Sequence, residues 1–142
     1  MSAYIPVELQ RQVRRRFANC CAYCRTAEAL TVRTFEFEHI VPRSAGGDSV
    51  LENLCLSFPS CNRYKAQRQT AVDPLTEETI ALFHPQLQVW REHFAWEEEA
   101  TIIAGLTPTG RATIKSLRMN RPQMVRVRSM WVKLGEHPPM LE

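Results

Sequence analysis

Residues 35–65 read FEFEHIVPRSAGGDSVLENLCLSFPSCNRYK, and a CAYC tetrad precedes them at residues 21–24. Phe35 and Phe37 alternate with Glu36 and Glu38, the two-residue period of a strand, which we place over residues 34–40. Pro42 cannot continue a ladder, and Gly46 with Gly47 makes residues 43–48 a turn or an open loop. Residues 53–56 can then pair back on the first strand, and residues 61–69 have helical character. The order is strand, loop, strand, helix.

Upstream, Pro6 suits the first turn of a helix, and Leu9, Val13 and Phe17 fall on one stripe of it with Arg11, Arg14, Arg15 and Arg16 mostly outside. Downstream of Pro74 the pattern weakens. Phe94, Trp96 and residues 101–103 read as two short strands of a hairpin, with the acidic run 97–99 near its turn. Thr107 followed by Pro108 starts a helix, Ile114 and Leu117 supply its buried edge, and Asn120 closes it. A last helix opens at Pro122, aligns Met124, Val127, Trp131 and Leu134 on one face, and ends at Gly135 before Pro138 and Pro139. Arg111, Lys115, Arg118, Arg121, Arg126, Arg128 and Lys133 decorate this helical pair.

A chain of 142 residues, 44% hydrophobic and 23% charged, suits a single folded domain with a real core. Nowhere do about eighteen apolar residues run together, and the opening residues lack the apolar run of a secretory leader. The expected compartment is the cytoplasm. Five cysteines, an odd number without an export signal, argue for thiols or metal ligands rather than a disulfide framework. The net charge of +3 is unevenly spread: residues 1–70 carry ten Lys/Arg against six Asp/Glu, residues 71–99 one against seven, and residues 100–142 seven against two. Three zones follow within one compact domain: 1–70, an acidic connector over 71–99, and a basic helical extension over 100–142. Two basic zones flanking an acidic connector suit a polyanion held from two sides, the alternative being solvated helix faces.

Taken together, CAYC, Glu38-His39-Ile40, Pro42, the Gly46-Gly47 loop, Asn53-Leu54 and the Cys61-Asn62-x-x-Lys65 helix start resemble the HNH nuclease family over residues 15–68, about a third of the chain. The segments GLTPTGRATIKSLRMN and RVRSMWVKLGEHPP also resemble the tail of one bacterial subgroup of HNH proteins. The resemblance implies a small ββα-metal core, and with the N-terminal helix, the C-terminal β-hairpin and the two helices read from the residue pattern the expected fold is α+β.

It also implies a metal-dependent endonuclease that hydrolyses phosphodiester bonds in DNA, nicking or cutting both strands. His39 is then the base that activates water, since a neutral imidazole can accept a proton near pH 7. Asn53 takes the place of the residue that orients the base. Glu38 and Asn62 offer hard oxygen ligands to Mg²⁺ or Mn²⁺. The family more often has Asp at position 38. Arg43, Arg63, Lys65 and Arg68 are the candidate contacts to DNA phosphate, the alternative being that they face water.

Relatives with this pattern commonly hold a structural zinc through two Cys-x-x-Cys pairs. Cys21, Cys24 and Cys61 fit three of those positions, but Phe58 stands at the fourth. Three thiolates with a water, a move of Cys20 or Cys55 into the gap, or a metal-free plug built on Phe58 all remain open. A thioredoxin-like use of CAYC is disfavoured because no βαβ context follows it. Two rival functions are a non-catalytic DNA-binding module on a degraded HNH scaffold and a zinc-dependent interaction protein. Cutting both strands would take a homodimer or two successive nicks by a monomer.

Overall fold

The computed structural model describes residues 4–141, so the first three residues of the stretch read for a secretory leader lie outside the described part. In chain order the elements are α1 (Val7–Arg16), β1 (Glu36–His39), β2 (Leu54–Ser57), α2 (Pro59–Lys65), β3 (Thr70–Val72), β4 (Thr79–Ala81), α3 (Trp90–His93), β5 (Phe94–Glu97), β6 (Ile102–Gly105), α4 (Pro108–Leu117) and α5 (Pro122–Lys133). The strands form three antiparallel hairpins, β1 with β2, β3 with β4, and β5 with β6. This is the α+β arrangement expected: a ββα unit behind an N-terminal helix, then a hairpin and two helices.

One apolar core runs from α1 to the end of α4. Val13, Phe35, Leu54, Leu56, Phe94, Ile103 and Leu117 are all buried in it, each worth about 1.5–3 kcal/mol relative to exposure. β2 is buried along its whole length, with α1 packed against it. The connector is tied down by polar bonds as well: Trp90 Nε1 donates to the carbonyl of Tyr23 at 2.8 Å, and Gln86 Nε2 donates to those of Leu51 and Leu54. α4 starts as expected, with the Thr107 hydroxyl accepting from Gly110 N at 3.0 Å and Pro108 in the first turn. Gly110 also lets α4 approach its neighbour, since a Cβ there would lie 2.1 Å from the His93 carbonyl oxygen.

Three local expectations need correction. The helix expected over 61–69 begins earlier and ends at Lys65, because Ala66 adopts a left-handed φ of 53°. The weakly patterned connector contains β3 and β4, whose outer residues are exposed on both strands, so no apolar alternation marks them. The buried side of α5 is Met124 and Arg128, while Leu134 is 74% exposed. Arg128 was expected as surface decoration. Instead its guanidinium donates to the carbonyls of Met119 (2.7 Å) and Thr101 (3.0 Å) and to Asn120 Oδ1 (3.2 Å), satisfying acceptors left open beyond the end of α4.

Among the described residues no helix is long and apolar enough to cross a membrane.

Candidate active site

The β1–β2 register pairs Glu38 with Cys55 and His39 with Leu54, which leaves residues 40–53 as the loop that closes the hairpin. Asn53 stitches this loop. Its Oδ1 accepts from Val41 N (2.8 Å), its Nδ2 donates to the carbonyls of Val41 (3.1 Å) and Asp48 (3.0 Å), and its main-chain oxygen accepts from Ile40 N (2.8 Å). A Cβ at Gly47 would lie 1.8 Å from the Val41 oxygen, so only glycine allows this closure. Asn53 therefore acts on the backbone beside His39, and its side chain makes no bond to the imidazole.

The ring of His39 is half-buried, with Nε2 2.8 Å from Ser49 Oγ. Nδ1 has no partner among the described residues. Burial, and then the positive charge of Arg43, hold the imidazole pKa below its ordinary value, which favours the neutral ring.

Glu38 is buried, 4% exposed. Its Oε1 accepts from the Tyr23 hydroxyl (2.8 Å) and from Lys65 Nζ (2.9 Å), while Oε2 is buried with no hydrogen-bond partner. Burial pushes this carboxyl above its usual range, and Lys65 and Tyr23 pull it back. Lys65 was expected to face DNA or water. It is instead 2% exposed, pinned between Glu38 and the Ile40 carbonyl (3.2 Å), and a buried ammonium so placed cannot meet a phosphate.

Asn62 donates through Nδ2 to Glu36 Oε1 at 2.7 Å, leaving its carbonyl Oδ1 without a partner among the described residues. Phe37, Glu38, His39, Arg43 and Asn62 line one small cleft of about 210 Å³, and Arg43 is exposed on its rim. The lining of this cleft thus includes a carboxylate whose buried Oε2 is unpartnered and an amide whose Oδ1 is free, hard oxygen donors of the kind a divalent cation takes. Arg63 and Arg68 lie elsewhere, lining a second cleft with residues of α4.

The cysteines form a separate buried group. A tight turn, closed by Cys21 N to the Thr26 carbonyl (2.8 Å) and Arg25 N to the Cys21 carbonyl (3.1 Å), brings Cys21 and Cys24 together, and the first turn of α2 adds Cys61. The three Sγ atoms all lie within 4.8 Å of one another. Thiolates at ~2.3 Å from a tetrahedral zinc are themselves about 3.8 Å apart, so this group can hold a metal ion. Burial raises the Cys21 thiol, and its thiol neighbours raise that of Cys61; Cys24 is held well below its ordinary value by hydrogen bonding with both of them and with Thr26. Cys20 and Cys55 do not join. Cys20 Sγ points to the Ala18 carbonyl, and Cys55 Sγ lies 3.9 Å from the Tyr23 hydroxyl. Phe58 packs edge-on against Phe35 with ring centroids 5.4 Å apart.

Glu36, Ser49 and Tyr23 belong to this neighbourhood and were not among the expected site residues. Glu36 had a signal, its two-residue spacing from Glu38 on one strand face. Ser49 and Tyr23 had none, because their partners are chosen by loop closure and by packing.

Residues 21–68 match the family model described as HNH endonuclease. Neither a curated protein nor a solved structure matches the chain. The matched span takes in the cysteine group, the β1–β2 hairpin with its loop, and α2, so residues 21–68 of this chain form a domain of the HNH endonuclease family.

Proposed function

We propose that this protein is a divalent-cation-dependent endonuclease that hydrolyses phosphodiester bonds in DNA. The observation that carries the reading is the single cleft lined by a half-buried, neutral-favouring His39 together with Glu38 and Asn62, whose buried Oε2 and whose Oδ1 have no hydrogen-bond partner among the described residues. With the Ser49 hydroxyl accepting the Nε2 proton, the imidazole lone pair lies on Nδ1, which takes the proton of the attacking water. Glu38 and Asn62 would hold Mg²⁺ or Mn²⁺. When bound, such an ion supplies positive charge to the scissile phosphate and the departing 3′-oxygen.

Around these groups the chain does the positioning. Lys65 and Tyr23 fix one oxygen of Glu38 and leave the other without a hydrogen-bond partner. Glu36 holds the amide nitrogen of Asn62 and so orients its carbonyl. Asn53 sets the loop that carries Arg43 and Ser49, and Arg43 is placed to meet a phosphate oxygen. Zinc on Cys21, Cys24 and Cys61 would clamp the start of α2, one residue before Asn62. Five free, buried thiols suit the reducing cytoplasm.

Supercoiled plasmid, incubated with Mg²⁺, Mn²⁺ or EDTA, tests the reading. Nicking is expected with a cation and not with EDTA, and His39→Ala, matched for folding by circular dichroism, should lose roughly 10²–10⁴ in rate. Plasmid binding without cleavage under every cation would replace the endonuclease by a DNA-binding module.

A further inference from the structure

Tyr64, three residues past the last cysteine, is the meeting point of an unusual concentration of charge. The guanidinium carbons of Arg63, Arg118 and Arg121 lie 5.2, 4.9 and 5.4 Å from the centre of its ring. They come from three places, α2, the residue after α4 and the residue before α5. Arg68 and Lys115 complete the walls of a cleft of about 500 Å³ with Arg63, Tyr64 and Arg118. Among the described residues none of these five cations makes an ion pair with a carboxylate. Arg68 and Arg121 donate only to main-chain carbonyls. Elsewhere the fold does pair its arginines, Arg14 with Glu28 at 3.0 Å and Arg111 with Asp73 at 2.8 Å.

Five like charges gathered without a counter-charge repel one another, and stacking on an aromatic face offsets only part of that. A guanidinium stacked on an aromatic face keeps N–H edges available to grip phosphate oxygens in pairs. Ser116, on the same wall, has a buried Oγ without a hydrogen-bond partner.

Position points to the ligand. Arg63 and Tyr64 directly follow Asn62, so this cleft and the His39 cleft flank the same short helix. A helix is roughly 10 Å across, which sets the two clefts on the order of three base steps apart along one strand.

We propose that the cleft around Tyr64 is a second DNA-contacting site, in which Arg63, Arg68, Lys115, Arg118 and Arg121 hold backbone phosphates a few nucleotides from the bond that is cut. The C-terminal extension thereby supplies three of the five cations. The inference rests on the endonuclease reading for the identity of the polyanion, and not for the existence of an anion site.

Arg118 provides a variant that separates binding from folding. It sits at φ 50° and ψ 47°, where glycine is the ordinary helix-ending residue. Arg118→Gly therefore relieves backbone strain while it removes a phosphate contact. Binding of a labelled 30-base-pair duplex by the full chain is followed by fluorescence anisotropy, with neither added divalent cation nor chelator, over a range of salt concentrations. Arg118→Gly is expected to keep or raise Tm and to lower the slope of log Kd against log salt by about one; adding Lys115→Ala and Arg121→Ala should lower it by about three and weaken binding at least tenfold. Lys133→Ala, which removes a charge from a cleft shared with Glu98 and Glu99, should leave the slope unchanged. A parent that binds DNA and a triple variant with unaltered Kd and slope would overturn this site and leave the endonuclease reading intact. A parent that binds no DNA would overturn both.

Discussion

His39 lives in two fields that act in the same direction. Half-burial disfavours the imidazolium, and the Arg43 guanidinium disfavours it further, so the folded pKa lies below the ordinary value of about 6.5. A base works in its neutral form. Activity should therefore rise with pH through a limb centred below 6.5 and be flat above it, the reverse of what a protonated His39 acting as an acid would give. Arg43→Ala removes the smaller of the two effects and should move the limb toward higher pH. A profile of kcat/KM against pH for parent and variant reads the position of the limb separately from any loss of DNA affinity, and an unmoved limb would show that Arg43 does not govern this proton.

Between elements, the Glu38–Lys65 pair is the buried tie that joins β1 to α2. Both charges are almost fully removed from water, Glu38 at 4% and Lys65 at 2% exposure, so the pair costs desolvation and returns it only while both partners are present. Lys65→Met strands a buried carboxylate and should destabilise the fold by about 3–5 kcal/mol in chemical denaturation. Glu38→Gln combined with Lys65→Met leaves no uncompensated charge and should recover most of that loss, while cleavage stays absent because the carboxylate charge that would hold the cation is gone. Recovery of cleavage along with stability would remove Glu38 from the cation site. The same helix explains why two clefts share one element: Asn62 faces Glu36 on one side, and Arg63 and Tyr64 face α4 on the other.

At the scale of the whole molecule, the acidic connector is bound to the basic extension through Asp73. Its carboxylate takes two hydrogen bonds from Arg111, at 2.9 and 2.8 Å, and also accepts from Leu75 N and the Thr76 hydroxyl. Arg111 first, and then the local donors, hold its pKa far below the usual carboxylate range. A depressed folded pKa means that the unfolded chain binds this proton first as pH falls. The stabilisation is complete above the unfolded value of about 3.9 and is lost on acidification below it toward the folded value. Asp73→Asn should thus lower Tm at pH 7 by several degrees and shrink the fall in Tm between pH 6 and pH 3, measured by circular dichroism. An equal acid sensitivity in both proteins would assign the loss to other carboxylates.

Local chemistry made much of this protein legible from its sequence. Cys-x-x-Cys spacing, Glu38-His39, the glycine pair, Asn53 and Cys61-Asn62 are short-range patterns, and each is read within a few residues of itself. Thr107-Pro108 and Pro122 likewise mark helix starts by backbone constraint alone. What depends on docking was not legible. That Lys65 turns inward to Glu38, that Glu36 reaches Asn62, that Arg128 is buried and that three arginines converge on Tyr64 follow from strand register and helix packing. A cation on a helix looks the same in sequence whether it faces water, a buried carboxylate or a phosphate. Only the tertiary structure decides which, because the energy of a charge is set by what surrounds it in space and not by its neighbours along the chain.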